Sequence, residues 1–259
     1  MPEAREYTTD AVIIRKTKLG EADRILTLYT PEYGKIDAVA KGVRKPKSKM
    51  AGHLELLTYS RLNLARGRNL DTIIGAQCLD SFAGLKNDLI LTSGGLYAAE
   101  LINQFTVARV ASPALFRLFL ETLERLARAE SPEVSLRYFE LHLLDMTGYR
   151  PQLQECVSCR QVLKPVNNYF GPAAGGVLCP ECAFEHPSAF PLSVDALKVL
   201  RLFQRSAGEV ISRLKIQAAL GQELKTAMAG HIRFVLEREV KSANWMEAMR
   251  NHLGPPKPE

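Results

Sequence analysis

Three features of this 259-residue sequence predict an α+β chain of several domains. Short runs rich in β-branched and aromatic residues fill positions 11–79, helical periodicity takes over near Leu85, and two C-x2-C pairs interrupt the helices. The length leaves room for two or three separate cores. The expected division is a barrel over 1–80, helices over 81–150, a cysteine segment over 151–190, more helix over 191–253 and a disordered tail over 254–259.

The β region rests on five runs: Val12-Ile13-Ile14, Ile25–Tyr29, Ile36–Ala40, Leu56–Ala65 and Thr72–Leu79. Leu62-Asn63-Leu64 alternates as a half-buried strand does, and glycine-bearing turns such as Pro31-Glu32-Tyr33-Gly34 separate the runs. Five strands in so short a stretch suit a small closed barrel of the OB type, because closure leaves no exposed edge. An SH3-like barrel satisfies the same periodicity.

The barrel region is also where the positive charge gathers. The whole chain carries a net charge of +6, and residues 1–75 hold 14 basic against 9 acidic side chains. Between Ala38 and Leu54 stand Lys41, Arg44, Lys45, Lys47 and Lys49 with no acidic residue, preceded by Lys35 and followed by Arg66 and Arg68 on a later turn. Cations on a strand and its loops can displace the counterions condensed on nucleic-acid phosphates, so these eight residues are the expected nucleic-acid contacts. Tyr29, Tyr33 and Tyr59 are candidates for base stacking and equally for core packing.

Helices come next. A segment near Leu91–Val107 has an apolar stripe, and Ser112-Pro113 and Ser131-Pro132 each read as an N-cap serine before a first-turn proline. The second of these helices stops at Gly148. Ser193 opens a helix ending near Gly208, and a last long one covers about Gln222–Lys241, with Trp245 beyond it as a packing anchor.

Between the helices lies the strongest chemical signal. Cys156-x2-Cys159 and Cys179-x2-Cys182, with nineteen residues between the pairs, have the spacing of a zinc ribbon. Four thiolates close a tetrahedral structural site and leave no position open for water or substrate. The α+β architecture therefore gains a zinc-binding segment inserted between helices, with one structural zinc per chain.

Composition limits the function further. Hydrophobic content of 46% with 24% charged residues is that of a globular protein, and no apolar run reaches the roughly 20 residues of a membrane helix. The first residues carry acidic groups and no apolar stretch, so no signal peptide is expected; zinc-suited cysteines then point to a reducing cytoplasm. No GxxxxGK[ST] or GxGxxG element occurs, and the one H-x-E, His53-Leu54-Glu55, is far from the paired cysteines, neither pair of which reads P-C-x2-C, so phosphate cradles and zinc-deaminase chemistry lack their residues, and no enzyme is expected.

The sequence resembles the RecO family of bacterial recombination mediators. The likeness is carried by Gly20-Glu21-Ala22-Asp23-Arg24, by Leu28-Tyr29-Thr30-Pro31, and by Gly34-Lys35-Ile36 leading to Ala40-Lys41-Gly42-Val43-Arg44. It returns in Phe139–Pro151, Glu155-Cys156 and Gly175-Gly176-Val177-Leu178-Cys179-Pro180-Glu181-Cys182. The resemblance implies an OB-fold, a helical bundle and a zinc-binding segment. It implies a cytoplasmic, nucleoid-associated protein that binds single- and double-stranded DNA, anneals strands and helps load RecA on protein-coated single strands. The implied partners are RecR and the acidic, apolar tail of single-stranded-DNA-binding protein, for which Arg109, Arg117, Arg125 and Arg128 are the candidate contacts beside Tyr29 and Tyr33. The residues alone leave open an RNA-binding or transcription accessory factor built from a barrel and a zinc ribbon.

Overall fold

A computed structural model describes residues 5–208, 214–243 and 246. Trp245 and the tail beyond Gly254 lie outside the described residues. Contacts part the chain into two compact units, Met1–Ala129 with Ser242–Glu259, and Glu130–Lys241. The helices of 81–129 thus belong with the barrel, whereas the sequence reading grouped them with those after Ser131.

The first unit holds β1 (Glu6–Leu19), β2 (Asp23–Thr30), β3 (Gly34–Ala40), β4 (Tyr59–Ala65) and β5 (Asp71–Asp80), closed in the order β1-β2-β3-β5-β4. β3 and β5 run parallel, Ala38 facing Asp71, and the other pairs are antiparallel. This is the OB arrangement, a five-stranded Greek-key barrel. β1 serves two neighbours: its first half pairs with β4, and an irregularity between Ile13 and Arg15 re-aims the second half along β2. Alternate residues of each strand fill the barrel, among them Ile13, Leu26, Leu28, Ile36, Leu62 and Leu64.

Three helices follow the barrel: α1 (Ala83–Lys86), α2 (Leu89–Phe105) and α3 (Pro113–Ala127). Asp88 caps α2 by accepting from the Leu91 N–H at 2.9 Å, and Ser112 caps α3 through Leu115. α3 packs against β2 through Tyr29, whose ring lies 6.0 Å from Phe116 and 6.3 Å from Phe119. Tyr29 is fully buried, so of its two candidate roles it takes core packing and not base stacking, and it offers no surface to a partner.

In the second unit α4 (Pro132–Met146), α6 (Val194–Arg205) and α7 (Ala218–Leu236) pack on one another. The last helix runs about four residues earlier than its apolar stripe suggested, and Glu237 ends it in the left-handed region. Ser131 does not cap α4: its φ is +41° and its side chain makes no cap bond. Between α4 and α6 lie β6 (Asn168–Gly171), β7 (Gly176–Leu178), the short α5 (Pro180–Ala183) and β8 (Phe190–Leu192), the strands forming an antiparallel sheet in the order β7-β6-β8.

Candidate metal centre and nucleic-acid interface

Two tight turns deliver the four thiols. In the first, the Cys156 N–H donates to the Gln161 carbonyl at 2.9 Å and the Arg160 N–H to the Cys156 carbonyl at 2.9 Å, with Arg160 in the left-handed region at φ +62°. In the second, Cys179 precedes α5, Pro180 occupies its first position, and the Cys182 N–H donates back to the Cys179 carbonyl at 3.1 Å. The small sheet ties the turns together, since Val157 donates to the Val177 carbonyl at 3.0 Å and Val177 to that of Gln152 at 2.9 Å. Gly176 must be glycine here, because a Cβ would stand 2.3 Å from the Gln152 oxygen.

The result is a cluster whose Sγ atoms all lie within 4.8 Å of one another. Cys159 and Cys179 are 3.9 Å apart at sulfur, far beyond a disulfide bond and close to the edge of about 3.8 Å in a tetrahedron of 2.3 Å metal–thiolate bonds. Burial pushes the Cys156 thiol up, but backbone N–H groups of Cys179, Cys159 and Ser158 outweigh it and bring the pKa down to about 6. Burial pushes Cys179 up to about 12. One thiolate is therefore welcome while Cys179 and Cys182 resist ionising, a conflict that a bound dication removes. His186 does not join the cluster; its Nε2 lies 3.0 Å from the Ser158 hydroxyl. The donor set fits a metal ion.

The segment is anchored to the helix that follows it. Arg201 Nε donates to the Leu153 carbonyl at 2.7 Å and Gln204 Nε2 to that of Pro151 at 2.9 Å.

The expected nucleic-acid residues gather along β3. Its C-terminal end runs into a turn over 41–50 that is held by Val43, buried in the barrel core, and folded back on the β1–β2 turn. There the Gly42 N–H donates to Asp23 Oδ1 at 2.7 Å and the Arg44 N–H to the Ala22 carbonyl at 3.0 Å. With Val43 pinned inward, Lys41, Arg44, Lys45, Lys47 and Lys49 are all exposed. Arg44 Nη1 also donates to the Gly20 carbonyl at 3.2 Å.

The β4–β5 turn reaches β3 from the side, because β5 starts beside Ala38. Asp71 organises that turn, accepting from the Tyr7 hydroxyl at 2.6 Å and the Gly67 N–H at 3.2 Å. Burial, then the hydrogen bond to Asp71, hold the Tyr7 hydroxyl well above its ordinary range, so it remains a donor. Arg66 stacks over the Tyr7 ring at 4.8 Å, half-buried, and Arg68 is exposed. Lys35, at the start of β3, turns its Nζ to the Asn103 carbonyl at 2.5 Å and faces α2.

Arg15 and Arg109 share a polar cavity with Lys35, and sequence reasoning did not place either on this face. Arg15 follows the apolar Val12-Ile13-Ile14 run, so alternation past the β1 irregularity was its one available signal. Arg109, expected at a partner site on the helices, instead lies 3.7 Å from Asp71 of the barrel. Among the other helical arginines, Arg117 and Arg128 are exposed and Arg125 pairs with Glu121 at 3.2 Å. Among the described residues no helix is long and apolar enough to cross a membrane.

Comparison with known proteins covers almost the entire chain. Residues 1–82 match the family described as Recombination protein O N terminal, and residues 86–244 that described as Recombination protein O C terminal. The DNA repair protein RecO of Dehalococcoides mccartyi (strain CBDB1) is 46% identical over 250 residues, 96% of this chain and 98% of that protein. The RecO of Roseiflexus sp. (strain RS-1) is 40% identical over 249 residues, 96% and 88% of the two chains. That of Symbiobacterium thermophilum is 34% identical over 248 residues, 95% and 98%. With both halves of the chain matched and the barrel and cysteine cluster in place, the chain belongs to the RecO family.

Proposed function

We propose that this chain is a DNA-binding recombination mediator in DNA repair, acting by annealing complementary strands and by helping RecA onto protein-coated single strands. It acts in the cytoplasm at the nucleoid, by binding and not by catalysis, with RecR as a partner. One observation carries the DNA reading: the turn over 41–50 is anchored by Val43 and exposes five cations with no acidic residue among them. Lys35, Lys41, Arg44, Lys45, Lys47, Lys49, Arg66 and Arg68 hold phosphates in this reading. Such contacts carry little sequence information, which suits a protein acting wherever damage occurs.

The four cysteines hold one zinc ion, with a structural role. An all-sulfur donor set near tetrahedral spacing is what zinc takes. When bound, the metal supplies charge and geometry to the segment and no open coordination site. For the acidic, apolar tail of single-stranded-DNA-binding protein, the supporting feature is a cavity in the first unit. It measures about 350 Å³, has Leu56, Leu57 and Leu96 on its walls, and carries Lys86 as its cation, with Glu55 at its wall paired to Lys16 at 2.6 Å. A tail peptide that binds Lys86→Ala as tightly as the parent protein would place that partner elsewhere.

The decisive experiment is a salt titration of DNA binding by fluorescence anisotropy. Each phosphate contact contributes about 0.7 to 0.9 to the slope of log affinity against log salt. Replacing Arg44, Lys45, Lys47 and Lys49 together by alanine is expected to flatten that slope by roughly three units. An unchanged slope on single- and double-stranded oligomers moves the site away from this turn, and tighter binding to RNA of equal length favours the transcription-factor reading.

A further inference from the structure

The phosphate reading draws only Lys35 from a polar cavity of about 320 Å³ on the outer face of β1, β2 and β3. Its floor is a row of cross-strand neighbours: Arg15 stands opposite Thr27, and Thr27 opposite Asp37. Thr27 Oγ1 donates to Asp37 Oδ1 at 2.7 Å, which fixes the carboxylate while the residue remains exposed. Asn69, from the β4–β5 turn, adds an amide at the rim.

The opposite wall is cationic and rigidly built. Lys35 reaches across to the Asn103 carbonyl, and Arg109 sits beside it. Arg109 has φ +61°, a conformation that a side-chain-bearing residue keeps only where its surroundings over-determine it. Here the Arg109 N–H donates to the Lys35 carbonyl at 2.9 Å and its guanidinium is drawn to Asp71. The chain next to it presses so close to β3 that a Cβ on Gly34 would stand 2.0 Å from the Val110 oxygen.

A site for phosphate alone would not keep a carboxylate in its floor. Asp37 is instead matched to an exocyclic amine, as a carboxylate is to cytosine N4, whereas thymine offers it the O4 acceptor. The size is at the small end of ligand pockets, room for one nucleotide unit. The geometry points to a single-nucleotide pocket: one base of single-stranded DNA turned out of its stack, its amine on Asp37, with Arg15 and Arg109 on the flanking phosphates. The inference rests on the DNA reading above and adds a base preference where phosphate contacts have none.

The test uses the full chain and homopolymers of deoxycytidine and deoxythymidine of equal length, at mildly alkaline pH and fixed salt. The ratio of the two affinities is measured by anisotropy for the parent protein and for Asp37→Ala. The deoxycytidine preference is expected to fall by roughly fivefold or more in the variant, the discrimination of one good base contact, while deoxythymidine affinity holds or rises. Asp37→Asn keeps an acceptor for Thr27 and offers an N–H to thymine O4, so it is expected to erase or invert the preference. Arg109→Ala is expected to weaken both oligomers alike. Equal ratios in the parent protein and Asp37→Ala, with both binding deoxythymidine, overturn the pocket. Failure of the parent protein to bind either oligomer sinks the DNA reading itself.

Discussion

Tyr29 carries a hydroxyl into the interface between β2 and α3, where it has no hydrogen-bond partner among the described residues. Burial alone pushes its pKa far above the ordinary range, as expected for a group cut off from water. An unsatisfied buried hydroxyl costs on the order of 1 to 3 kcal/mol, and deleting it leaves a ring that packs equally well on Phe116 and Phe119. Tyr29→Phe is therefore expected to stabilise the protein by about 1 kcal/mol, read as a higher urea midpoint at unchanged slope. A loss of stability would mean that the hydroxyl is satisfied by a bound water. The same residue shows where single positions become illegible. Strand alternation puts Tyr29 on the outside of the barrel, and nothing local says that a helix from positions 113–127 covers that outside face. The cysteines are the opposite case, because their chemistry and their spacing are both written within a few residues. Lys35 falls between the two: its sequence neighbourhood reads as basic, yet its ammonium is turned to a carbonyl of α2.

Among the elements, the two Ser-Pro helix starts look alike in sequence and differ in space. Ser112 has φ −147° and its hydroxyl accepts from the Leu115 N–H; Ser131 has φ +41° and caps nothing. Removing a working cap costs about 1 kcal/mol, whereas an idle one costs little. Ser112→Ala is thus expected to lower the urea midpoint and Ser131→Ala to leave it nearly unchanged. Equal losses would show that Ser131 caps α4 in solution. Five barrel strands were legible because each is long enough to alternate and is bounded by a turn. β6, β7 and β8, of three or four residues each, are too short for any period to register, and the cysteine segment reads from sequence as loop. Their register is set by tertiary pairing, Phe170 opposite Val177 on one side and Phe190 on the other.

At the scale of the whole molecule, the basic turns and the thiol cluster are segregated. The basic turns belong to the unit of Met1–Ala129, and all four cysteines to that of Glu130–Lys241. Sequence could assign each signal to a stretch of chain, but not the place where contacts part, since helix patterns look the same on either side of Ala129. The segregation has a measurable consequence. The thiol cluster joins two turns to a sheet whose strands are only three or four residues long, so a metal held there is expected to stabilise the segment. The barrel closes on its own hydrogen bonds and core and needs no such support. Chelation under reducing conditions is expected to release one zinc per chain and to speed amide exchange at Val157, Val177 and Cys182, with β1 to β5 still protected. Cys159→Ser is expected to reproduce the effect at lower metal content, and X-ray absorption on the parent protein to show sulfur at about 2.3 Å. Single-stranded DNA binding is expected to survive chelation with its salt slope intact, because the cations lie in the other unit. If those amides stay protected without metal, the sheet is self-sufficient and the cysteines serve another purpose. If exchange also rises in β1 to β5, the two units fold as one and the metal supports the whole chain.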